Sequence, residues 1–109
     1  MDKHMVVVFV APAEARDDDL RKWYDEVHLP EVLQVPGVVG AQLHRLAAPG
    51  FDPAVAAPGP FLNILEIEGD PAAVLGALKA AGSGMRHSDA LDRGSLRSWV
   101  YTPVTERHT

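Results

Sequence analysis

The sequence contains no cysteine. That absence removes disulfides, thiolate zinc sites, iron–sulfur clusters and cysteine nucleophiles together. It is compatible with a reducing cytoplasm, which is the expected location. Basic residues are also few: 10 Lys and Arg stand against 15 Asp and Glu, for a net charge of −5. With no basic patch to neutralise phosphates, nucleic acid is not an expected partner. Long apolar runs are missing too. "MVVVFVAPA" falls far short of the ~20 residues of a spanning helix. It also lacks a small-residue cleavage site behind a basic region, so neither membrane insertion nor a signal peptide is expected. The five histidines show no H-x-H or H-x₃-H spacing, and no paired His/carboxylate motif appears on one helix, so no metal is expected. There is no Gly-rich phosphate loop after a strand and no G-x-S-x-G elbow, and no cofactor is expected.

What remains is an ordinary globular composition, 47% apolar and 23% charged over 109 residues. That length suits one domain, 1–109, with one core. The opening "MDKHM" leaves Met1 and Met5 both open as the natural start, and nothing is drawn from His4.

"MVVVFVA" (5–11) is a continuous β-branched run ended by Pro12, the pattern of a strand buried on both faces. Residues 16–28 predict a helix. Asp17, Asp18 and Asp19 suit its positive N-terminal end, and Leu20, Trp23, Tyr24 and Val27 form one apolar stripe. Pro30 disfavours helix at Leu29 and can open a short second turn, "PEVLQV". After the "VPGV" turn, "VVGAQLHRL" (38–46) predicts a second strand, with His44 and Arg45 at its end. The segment 47–60 holds four prolines and predicts a loop. "FLNILEIE" (61–68) predicts a third strand. Asp70 and Pro71 fit the N-cap and first position of a helix over 71–82, packed through Val74, Leu75 and Leu78. The stretch "SGMRHSDALDRGS" predicts irregular chain, with one helical turn open at Ser88. "RSWVYTPV" (97–104) predicts the last strand, broken by Pro103.

The order β–α–β–β–α–β is the ferredoxin-like α+β arrangement, a four-stranded antiparallel sheet with helices on one face. That arrangement leaves one sheet face open, yet the first strand is apolar throughout. A homodimer pressing two sheets together into an α+β barrel would resolve the conflict.

"LRKWYDEVHLPEVLQVPGVVGAQLHRL" resembles the first helix and second strand of EthD-like dimeric α+β barrel proteins, with their "Y…H-x-P" helix end and "PGV" turn. The terminal "LRSWVYTPV" is similar to the last strand of that group. The resemblance implies a superfamily of cofactor-free polyketide cyclases and quinone-forming monooxygenases, muconolactone isomerases, haem-degrading enzymes and proteins without known roles. It also implies a pocket between helices and sheet, faced by the histidine before the proline, here His28.

His28 lies roughly 80° around from Leu20, on the rim of the apolar stripe. In the last helical turn its protonated form would be favoured, and it is a candidate general acid or base. It could equally be a helix-end histidine bonding free carbonyls. Tyr24, one turn earlier, could reach the same cavity, and Trp23 reads as core or as a substrate wall. Asn63 interrupts an apolar strand, and a buried amide either finds a partner or serves a ligand oxygen. Trp99 and Tyr101, with Arg97, share one face of the last strand and could hold a flat ligand or fill a dimer interface. His87, between Arg86 and Asp89, would lie over the pocket mouth or in solvated loop. Asn63, Trp99 and a histidine also supply the residue types of a haem-degrading site, a minor alternative. The expected function is a cofactor-independent cyclase, isomerase or monooxygenase acting on a small aromatic or hydrophobic carbonyl compound. His28, Tyr24 and Asn63 would be catalytic, with Trp23, Trp99, Tyr101 and His87 substrate-binding. The competing reading is a non-catalytic binder of a small hydrophobic ligand.

Overall fold

The computed structural model describes residues 3–109. The apolar run near the start becomes β1, Lys3–Pro12, and it lies inside the sheet between β3 (Phe61–Glu68) and β4 (Leu91–Tyr101). β2 (Val38–Arg45) pairs with the outer side of β3, so the strand order is β2-β3-β1-β4 with every pairing antiparallel. This is the expected ferredoxin-like sheet, and the β-branched run occupies a central position because both its edges are hydrogen-bonded.

Helices cover one face. The first segment begins as α1, Asp17–Trp23, widens into a single π-helical turn at Tyr24–His28, and closes as α2, Leu29–Val32. The helix was expected to stop near Leu29; instead Leu29 stays helical (φ −61°, ψ −44°) and its N–H bonds back to the Tyr24 carbonyl. Pro30 supplies the reason. A proline ring inside a helix lacks an N–H and crowds the carbonyl four residues earlier. A one-residue bulge with i→i−5 bonding absorbs the misfit without ending the helix.

The long helix α3, Pro71–Gly82, starts where expected. The Asp70 carboxylate accepts a hydrogen bond from the Ala73 N–H at 3.3 Å. It packs through Val74, Ala77, Leu78 and Ala81, whereas Leu75 points outward, contrary to the expected packing face. The turn before β2 depends on Gly37, which sits at φ +94° with its carbonyl accepting from the Glu68 N–H at 2.8 Å. A Cβ there would lie 2.5 Å from a Val74 methyl, so this turn and α3 meet at glycine distance.

Two core clusters form under the helices. Val6, Val32, Val35, Val38, Leu65, Ile67 and Val74 make one, and Val10, Leu20, Tyr24, Phe61 and Ala90 the other. Val8 and Leu29 pack against both. The expectation that β1 is buried on both faces holds only in part. Val6 and Val10 are buried on the helix side and Val7 on the other, while Phe9 is half-buried and Met5 exposed.

The last strand is longer at its start than expected. It begins at Leu91, not Arg97, no helical turn forms at Ser88, and it ends at Tyr101, so Pro103 lies outside it. The polar stretch enters the sheet through a large bulge: Phe9 pairs with Arg97 and Ala11 with Asp92, so five steps on β4 answer two on β1. Ser95 fills the gap, its Oγ accepting from the Ala11 N–H at 2.8 Å in place of a ladder carbonyl.

Candidate functional site

Residues pointing to the helix side of β1 and β3 form the floor of a cavity of about 520 Å³. Val6, Val8, Asn63 and Leu65 line the floor; Trp23, Tyr24, His28 and Val32 line the helical wall; Leu78, Met85 and His87 close it from α3 and the loop that follows. The size is that of a small-molecule site. Five expected site residues therefore meet around one void: His28, Tyr24, Asn63, Trp23 and His87.

The π turn shapes the wall. In a regular helix two side chains five residues apart diverge by ~140°. Here Trp23 and His28 stack, with ring centroids 4.7 Å apart and planes 18° from parallel. The Tyr24 ring meets His28 edge-on at 5.0 Å. Three aromatic rings thus form one rigid wall from consecutive turns.

Its polar atoms are conspicuously unused. Asn63 is 2% exposed and its Oδ1 has no hydrogen-bond partner; the Trp23 Nε1 and His28 Nδ1 are likewise buried without one. Unpaired buried polar groups are rare because each costs ~1–3 kcal/mol. Here three such atoms sit on the lining of one apolar cavity.

Electrostatics fix the resting states. Burial pushes the Tyr24 hydroxyl up to about 12, so at neutral pH it stays protonated and keeps an O–H to donate. Burial also lowers the His28 pKa below its ordinary value, partly opposed by the charge of Glu31 and reinforced by His87. The expectation of a protonated helix-end imidazole is corrected on both counts: the helix runs on through α2, and His28 is held neutral by its surroundings.

At the mouth, Glu31 binds the loop after α3, accepting from the Arg86 N–H at 3.2 Å and lying 3.6 Å from its Nε. His87 is exposed beside it. Arg93, which the sequence did not single out, also lines the cavity. It is carried there by the bulge of β4, for which the sequence holds no signal beyond Gly94 and Ser95.

Trp99 and Tyr101 are not part of this cavity. Trp99 pairs with Val7, on the sheet face away from the helices, where its ring meets Phe9 edge-on at 6.2 Å. Tyr101 shares that face, and the two are 50% and 59% exposed. A second cavity of about 520 Å³ is lined by Met5, Tyr101, Pro103 and Arg107 together with His4, whose two ring nitrogens are buried without partners. His44 and Arg45 lie exposed at the end of β2. Among the described residues no group of three or more His, Asp or Glu could hold a metal ion, and no helix is long and apolar enough to cross a membrane.

Solved structures share this ferredoxin-like α+β fold. An EthD family protein from Bacillus halodurans C-125 superposes with a TM-score of 0.57 at 15% identity, over 92% of this chain and 96% of that one. HapK from Hahella chejuensis does so with a TM-score of 0.56 at 16% identity, over 100% of this chain and 98% of that one. The chain therefore has the EthD-like fold. No protein-family model matches the sequence, and no curated protein matches it.

Proposed function

We propose that this protein is a cofactor-independent enzyme of proton-transfer chemistry, acting on a small aromatic or hydrophobic carbonyl compound. The observation that carries the reading is the convergence of Asn63, Trp23 and His28, each with a buried unpartnered polar atom, on the lining of one apolar cavity. A neutral imidazole held below its ordinary pKa is a base able to accept a proton at neutral pH.

In this scheme His28 takes the proton from a carbon beside the substrate carbonyl. The C–H electron pair moves into the carbonyl to leave an enolate. The Tyr24 hydroxyl and the Asn63 amide then donate hydrogen bonds to the enolate oxygen, where charge develops. Return of the proton to a different carbon completes an isomerisation. Attack of the enolate carbon on a second carbonyl closes a ring, and the alkoxide formed from that carbonyl takes the proton back from His28. Oxygenation of the same carbanion would draw on dioxygen. Trp23 and His87 contact the substrate at the wall and mouth.

The working unit of this reading is a homodimer joined through the sheet face that bears Trp99 and Tyr101. Two large aromatics exposed together beside the half-buried Phe9 support it, since such residues are enriched at interface cores. Trp99 and Tyr101 then serve the interface rather than the ligand.

Turnover of His28→Ala against wild type on a panel of aromatic polyketides and lactones tests the proposal. A loss of 10²-fold or more is expected for removal of a general base. Equal rates in both proteins would refute a catalytic His28. Binding of the same compounds without turnover in wild type would leave a ligand carrier in place of an enzyme.

A further inference from the structure

We propose that the ligand of this cavity is an amphipathic carboxylate, an apolar body lying against Trp23 and Val8 with its anionic end held at the mouth by Arg93. This rests on the cavity being a ligand site, as argued above, and adds the charge of what enters it.

The chain is acidic, with 15 Asp and Glu against 10 Lys and Arg, yet no acidic residue lines this cavity, whereas Arg86, His87 and Arg93 do. Of the two arginines, Arg86 is already engaged by Glu31 through its backbone N–H and guanidinium. Arg93 has no ion-pair partner among the described residues. The acids closest to it in sequence are committed elsewhere. Asp92 Oδ1 accepts from the Gly94 N–H at 3.1 Å, and Asp89 Oδ1 lies 2.7 Å from Arg16 Nη1. The fold therefore presents one uncommitted guanidinium at the edge of an apolar void, on a protein with acid to spare.

The division of the site is chemically one-directional. A carboxylate carried into the depth would lose its hydration among Val6, Val8 and Leu65, next to an imidazole held neutral, and would find no cation there. At the mouth it keeps water on one side and gains the planar, two-pronged donor that suits it best. The apolar body gains burial, and its own oxygen or N–H groups meet Asn63 and Trp23.

Calorimetric titration with 2-naphthoate and its uncharged counterpart 2-naphthamide tests this, with the Trp23 Nε1–H resonance reporting where each binds. In wild type, naphthoate should bind about tenfold more tightly than naphthamide, which is ~1.4 kcal/mol, and both should shift the Trp23 signal. Arg93→Gln should erase the ratio by weakening naphthoate about tenfold more than naphthamide. Equal affinities in wild type, or a preference that survives Arg93→Gln, would overturn the carboxylate inference while the ligand site stands. If neither compound binds or shifts Trp23, the ligand site falls and this inference with it.

Discussion

Replacing Asn63 with leucine should make the protein more stable and less active. Asn63 sits in the inner strand β3, opposite Val8 on β1 and Leu43 on β2, both apolar. It is 2% exposed and its Oδ1 has no partner. Leaving a buried amide unsatisfied costs ~1–3 kcal/mol. Leucine removes that cost, and the adjoining cavity of about 520 Å³ gives its extra bulk somewhere to go. Overpacking of ~1 kcal/mol offsets part of the gain. The net expectation is a stabilisation of up to about 2 kcal/mol, and each kcal/mol raises Tm of a chain of this size by roughly 4–8 °C. Urea and thermal unfolding followed by far-UV circular dichroism measure it. Protein concentration must be held fixed, because association shifts the apparent value. Turnover should fall by 10²-fold or more, since one donor to the enolate oxygen is gone. A loss of 1 kcal/mol or more would refute the reasoning, because it would mean that the amide is retained for the fold and not for a ligand.

The pH dependence follows from His28. Its folded pKa lies below the ordinary 6.5, so between that lowered value and ~6.5 the unfolded chain binds more protons, and stability rises with pH across the window. Histidine NMR titration should place His28 below the ordinary 6.5, and His28→Gln should flatten the acid limb of a urea-unfolding series; a His28 titrating above 6.5 contradicts the burial argument. Gly37→Ala forces a left-handed alanine against Val74 and should cost about 2–4 kcal/mol by urea unfolding, with an unchanged midpoint refuting the close approach. For the proposed dimer, Trp99→Asp combined with Tyr101→Asp should convert a dimer to a monomer in sedimentation at micromolar concentration, and a monomeric wild type would remove the interface.

The elements whose signals are local were legible in the sequence. Asp70–Pro71 opens its helix because a cap and a fixed φ act within one turn, and the β-branched run of Val6 to Val10 reads as a strand from its residue types alone. What escaped depends on contacts distant in sequence. β4 starts six residues early because the Ser95 hydroxyl takes a place in the ladder opposite Ala11, 84 residues away, and nothing in "DRGS" announces it. Alternation puts Trp99 and Tyr101 on one face but does not say which; pairing with Val7 rather than Val6 decides that they lie opposite the cavity. The wall of the site was half legible. A period of 3.6 groups Tyr24 with His28, but it separates Trp23 from His28, and only the π turn forced by Pro30 stacks those two rings. Pro30 was expected to end the helix and so give His28 free carbonyls and a proton. By widening the helix instead, it removes the carbonyls, turns the imidazole against an aromatic wall and leaves it neutral. The proline that argued for a helix-end histidine is thus the residue that seats His28 in the cavity wall against Trp23.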